Sequence, residues 1–159
     1  MAETPRLYLP KWSDEIMAEV SRNLLTKWNR TAQQIQRRED ALRAHFPEAW
    51  IEGHAPLIPV MTNDEKDRHV IAAAVSSGTP LIVTYNLKNF PVNSLDRWGI
   101  ERQGPSTFFT HLYDLEPGIA RKKWTEQEHN IGISIQDLLR KLQINPTFRT
   151  FESAIFVHR

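Results

Sequence analysis

The sequence predicts an α/β domain built on a parallel sheet, followed by a helical extension. Three observations carry that reading. Over the first two thirds, apolar residues at helical spacing alternate with short extended stretches. PLIVT at 80–84 is a continuous apolar run, as in a strand buried on both faces. From Pro105 onward the pattern is helical.

Taken in order, YLPKW is extended, because Pro10 lacks a backbone donor and biases Leu9 away from helix. Ser13 is placed to cap a helix with Ile16, Val20 and Leu24 on one face and Met17 and Trp28 alongside. Thr31 opens TAQQ, a capping-box pattern, and the helix after it turns Ile35, Leu42 and Phe46 inward. LIPVM at 57–61 reads as a short strand, with Pro59 marking an edge or bend. Thr62 or Asn63 then caps a helix that pairs Val70 with Ala74 and Ile71 with Val75, and Gly78 stops it. Ser106 or Thr107 starts FFTHLYDL, Pro117 restarts a segment, Ser134 opens SIQDLLRKL, and Pro146 interrupts before AIFVHR. No internal repeat is present.

Composition narrows the chemistry. The 159 residues carry 20 basic and 19 acidic side chains, a net charge of +1 that does not advertise a nucleic-acid binder and leaves room for a local basic patch. There are no cysteines, which removes disulfides, thiolate metal sites and thiol catalysis. MAETPRLYLP has no signal-peptide pattern, and VIAAAV at 70–75 is far too short to span a membrane. His45, His54, His69, His111, His129 and His158 form no HExxH and no close pair, and read as surface or packing residues. Phosphate-binding glycine motifs and GxSxG are missing.

Carboxylates remain. Glu15 and Glu19 lie one turn apart on the first helix, and Asp64 and Asp67 open a later one. Sites in open α/β sheets form beyond the carboxyl ends of the strands, where helix N-termini also lie. Asp64 and Asp67 suit a hard divalent ion there. They equally suit a first helical turn, where acids complement the macrodipole. On spacing alone the capping reading is the stronger.

The stretch D-x-K-D-R-H-V-x-A-A-A-V, followed by V-T-x-N-L-x-x-F-P, closely resembles PIN-domain proteins, in the branch of the VapC toxin ribonucleases. The likeness extends through LYLPKWSDEIMAEVSRNL upstream and GPSTFFTHLYDLEP downstream. It implies a PIN-like parallel sheet flanked by helices over 1–104, with a helical extension over 105–159 packed on it. It also implies a cytoplasmic endoribonuclease that uses Mg²⁺ or Mn²⁺ to cleave RNA, pairs with a cognate antitoxin protein and forms a homodimer.

Carried over by position, Glu19 matches the family's helix glutamate, with Glu15 as a substitute; Asp67 matches the main aspartate and Asp64 the accessory one. Thr84 and Asn86 match the polar pair after the last strand, and Lys66, Arg68 and Lys88 are weak candidates for holding the RNA backbone. Asn89 falls where this group usually has an aspartate.

A second departure lies at the start. The family begins with a strand bearing an aspartate, whereas nothing acidic precedes Trp12 here except Glu3, and 1–4 look like the end of the family's first helix. The expectation is an N-terminally truncated sheet. Its gap would be filled by another chain, by the C-terminal SAIFVHR, or by a longer gene product. The alternative function is a catalytically degenerate PIN domain that binds protein or RNA. A third reading is an unrelated α/β domain whose acids are helix caps.

Overall fold

The computed structural model describes residues 6–131. The first residues, Ser134, Pro146 and the AIFVHR segment lie outside the described residues, and with them the expectations about the truncated start and the C-terminal strand. The chain divides into two compact units. One is Pro10–Ile82 with Lys88–Glu101; the other gathers the chain up to Leu9, Val83–Leu87 and the chain from Arg102 onward.

In the first unit, Ser13 accepts a hydrogen bond from the Ile16 amide and opens α1 (Asp14–Thr26). Thr31 and Gln34 form the expected capping box at the start of α2 (Ala32–His45). A parallel bridge closes this helix pair: the Trp12 amide donates to Ala49, and the Ile51 amide to Trp12, both at 2.9 Å. The Trp12 ring meets Trp50 edge-on at 5.8 Å and Phe46 at 6.3 Å. Met17 and Ile35 are buried, whereas Trp28 lies past the end of α1 and is exposed, so it does not join the apolar face.

The expected strand at 57–61 is instead a 3₁₀ helix, Ala55–Val60. Pro56 and Pro59 explain this: neither can donate to a ladder, and both hold the φ that a helical turn uses. Helix α3 (Arg68–Ser76) follows a 3₁₀ turn, Glu65–Asp67, that is capped by Asp64 and not by Thr62 or Asn63. The backbone leaves α3 through Gly78 at φ +64, the left-handed conformation glycine adopts without strain.

Ile71, Ala72 and Ala73 are almost fully buried. Met61, Ile71, Ile82, Phe90, Leu95 and Ile100 belong to the core cluster of this unit.

Strand β1 (Leu81–Val83) is followed by the short α4 (Val92–Leu95) and by β2 (Glu101–Gln103). The two strands pair in parallel: the Glu101 amide donates to Pro80 at 2.8 Å and the Thr84 amide to Gln103 at 3.0 Å. The α/β class with a parallel sheet is therefore the one found. Burial of β1 on both faces is not: Ile82 is buried, but Val83, on the opposite face of the strand, is 40% exposed. Strand β2 has no counterpart in the sequence reading, since Glu101, Arg102 and Gln103 form no apolar run.

In the second unit, α5 (Pro105–Leu115) starts one residue before Ser106, with Pro105 in its first turn, where the missing amide proton costs nothing. Helix α6 (Pro117–Ile131) restarts at Pro117 as expected. The buried Tyr113 hydroxyl accepts from the Arg121 guanidinium, and Tyr8 packs edge-on against Phe108 at 5.1 Å. Among the described residues no helix is long and apolar enough to cross a membrane.

Ile71→Ala should lower unfolding free energy by about 2–5 kcal/mol, because the emptied volume lies in a close-packed core. Val83→Ala on the exposed side of β1 should cost less than about 1 kcal/mol. Urea midpoints of the two variants measure the contrast.

Candidate functional site

The first unit brings two pairs of acids to the neighbourhood of α3. Asp64 and Asp67 stand at either end of the 3₁₀ turn that leads into the helix, and they behave differently. Asp64 is exposed and accepts from the Lys66 amide at 3.3 Å, as a capping residue does. Asp67 occupies the N-cap position of α3 but makes no side-chain cap bond. Its Oδ2 accepts instead from Asn89 Nδ2 at 2.6 Å, a short charge-assisted bond across 22 residues of chain. A carboxylate only accepts, so Asn89 must present its amide nitrogen.

Asn89 is buried, in the 3₁₀ turn Leu87–Asn89. Its backbone carbonyl accepts from Asn63 Nδ2 at 3.4 Å, and Arg68 Nε donates to the Asn63 carbonyl at 3.3 Å. Arg68, a candidate for the RNA backbone, is thus tied to the loop that enters its own helix. Lys66 and Lys88 are exposed. Thr84 and Asn86 belong to the other unit, where Thr84 Oγ1 accepts from the Asn86 amide at 3.1 Å and closes a turn after β1.

On α1, Glu19 Oε2 lies 3.9 Å from His69 Nε2. His69 is two residues beyond Asp67, so Glu19 reaches the same end of α3. Glu15 Oε2 lies 3.2 Å from His54 Nε2, within ion-pair distance though without hydrogen-bond alignment. The His54 side chain is only 6% exposed, and neither ring nitrogen has a hydrogen-bond partner. The Glu15 carboxyl is held below its ordinary value by its own backbone amide first, then by the Ser13 hydroxyl and by His54 and His69, against the opposing effect of partial burial.

His54, His69 and Asn63 are the site residues that sequence reasoning passed over. His69 had a signal, its place inside the DRHV block; His54 sits in an irregular loop after Gly53 and had none.

Among the described residues, no three His, Asp or Glu side chains gather as a metal site. The donor chemistry nonetheless fits a hard divalent ion held in an open manner. Such an ion takes one or two carboxylates and fills its remaining positions with water and phosphate oxygens. Glu19 and Asp67 are oxygen donors at one end of α3, and the bond to Asn89 engages only one of the two Asp67 oxygens.

Two outcomes follow from this geometry. Asn89→Asp should replace the short hydrogen bond by two carboxylates in contact, lowering metal-free stability by about 1.5–3 kcal/mol. Thermal melts should also show Mn²⁺ stabilising that variant more than the parent. Folding lowers the Glu15 pKa, so its contribution to stability is fully present above the unfolded value and is lost as pH falls through the folded one. Glu15→Gln should therefore flatten the acid limb of stability as pH falls below the ordinary carboxylate range, read by urea titration at each pH.

The family model described as PIN domain matches residues 8–88, just over half of the chain. A Mycobacterium tuberculosis protein named "Putative ribonuclease VapC50" is 36% identical over 90 residues, which cover 57% of this chain and 53% of that protein. The chain thus spans about half the length of this curated relative. No solved structure matches the chain. The matched residues include Glu19, Asp64 and Asp67, and with them the α3 entry described above; the chain belongs to the PIN-domain family.

Proposed function

We propose that this chain is a metal-dependent endoribonuclease of the VapC type that cleaves RNA phosphodiester bonds with Mg²⁺ or Mn²⁺. The observation that carries the reading is the hydrogen-bond partner of Asp67. Its carboxylate makes no cap bond to the helix it precedes and is held by Asn89, an arrangement that capping does not account for. Family membership and the ribonuclease name of the mycobacterial relative support the same reading.

In this proposal Glu19 and Asp67 hold the ion, and Asp64 assists from the exposed side of the turn. Glu15 stays paired with His54. A bound divalent ion supplies positive charge at the reacting phosphate and acidifies the attacking water. The residues of the chain orient the reaction. Asn89 fixes one oxygen of Asp67, and Glu19 lies 3.9 Å from His69. Lys66 and Lys88, both exposed, attract the RNA backbone. A cognate antitoxin protein, self-association, a cytoplasmic location and a 105–159 helical extension on a 1–104 catalytic part belong to the same proposal.

Incubation of labelled RNA with Mg²⁺ or Mn²⁺ tests it. Cleavage should require the ion, and Glu19→Gln or Asp67→Asn should each reduce it by on the order of 10²-fold or more. Cleavage that survives both substitutions would place the site elsewhere. Retained RNA or protein binding, with neither cleavage nor metal uptake, would identify a degenerate PIN module.

A further inference from the structure

The bond that holds Asp67 is itself held. Asn63 is 5% exposed and Asn89 8% exposed, so both amides lie within the first unit and not on its surface. Burying an amide is costly unless its hydrogen bonds are made, and the Oδ1 of Asn63 has none. The one side-chain bond Asn63 makes is the one from its Nδ2 to the carbonyl of Asn89, 26 residues along the chain. Asn89 in turn directs its own Nδ2 to Asp67. The ring closes through Arg68, which follows Asp67 and donates to the carbonyl of Asn63. Asn63 does not cap the helix it precedes; that task falls to Asp64.

We propose that Asn63 is a positioning residue for Asp67, acting through Asn89. Its amide fixes the backbone of the Leu87–Asn89 turn, so the Asn89 side chain arrives at Asp67 already oriented. The ordering entropy is then met during folding and not at the moment an ion or substrate binds. A metal-ligating carboxylate is commonly fixed by such outer partners, and their loss costs about 10–100-fold in metal affinity. The inference rests on the proposed role of Asp67 as a ligand, but the hydrogen-bond relay exists without any ion and is measurable in its absence.

The experiment is a double-substitution cycle on Asn63 and Asn89 with three readouts: Asn89 side-chain amide signals in the metal-free protein, Mn²⁺ affinity by calorimetry, and melting temperature. In the parent, the Asn89 amide should resonate away from the positions of exposed amides, identified by its disappearance in Asn89→Ala. Asn63→Ala should return it toward those positions and weaken Mn²⁺ binding about tenfold or more. In the Asn89→Ala background, adding Asn63→Ala should change Mn²⁺ affinity less than about twofold, since the path to Asp67 is already cut. The fall in melting temperature should be similar in both backgrounds, because the Asn89 carbonyl remains.

A purely structural role predicts the opposite pattern, with Asn63→Ala weakening Mn²⁺ binding equally in both backgrounds. That result, or unchanged Asn89 amide signals in Asn63→Ala, overturns the proposal. Asn63→Leu, close in size and without polar atoms, is held to the same outcomes if the alanine variant does not fold. Should the parent bind no Mn²⁺, the nuclease reading fails, and the amide signals alone decide whether Asn63 positions Asn89.

Discussion

The burial of α3 is the constraint on which the site depends. Ile71 and Ala72 are wholly excluded from solvent, and Ala73 nearly so, which pins the helix axis within the core. A helix locked along its length holds its first turn in place as well, and that turn is where Asp67 and His69 sit. Alanines serve this better than larger residues would. They lose little side-chain entropy in a helix and leave room for neighbouring backbone. Tolerance for added volume is correspondingly low along this face.

At the mouth of the helix, each acid has a polar neighbour. Asp67 meets the neutral amide of Asn89, and Glu19 and Glu15 each meet an imidazole. A carboxylate beside a neutral donor is stable with no cation present, whereas two carboxylates in contact repel unless a cation or a shared proton lies between them. Asn89 therefore does more than omit a charge. It supplies a hydrogen bond that keeps Asp67 oriented in the metal-free protein, at the expense of some attraction for a divalent ion.

The two acids that were indistinguishable by spacing part company in three dimensions. Asp64 satisfies an amide of its own turn, and Asp67 reaches a turn that follows the next strand. Both lie at a helix entry, so the macrodipole favours both. Their hydrogen-bond partners separate them, and partners are set by how distant stretches of chain pack.

Local chemistry was legible in the sequence. The Ser13 cap, the Thr31 capping box, the Gly78 stop and the restart at Pro117 all depend on residues within a turn of one another, so their spacing alone determines them. The α/β class and the family followed from the alternation of elements and from the NDEKDRHVIAAAV and LIVTYNLKNFP blocks. Other features required the packed chain. A polar segment became β2 by pairing with β1, and one face of β1, bearing Val83, was left exposed. The contacts of Asn63 with Asn89, of Asn89 with Asp67, and of His54 and His69 with the α1 glutamates span long separations in sequence. No local pattern encodes such pairs; tertiary structure decided them, because only the closed core fixes which distant polar groups lie beside one another.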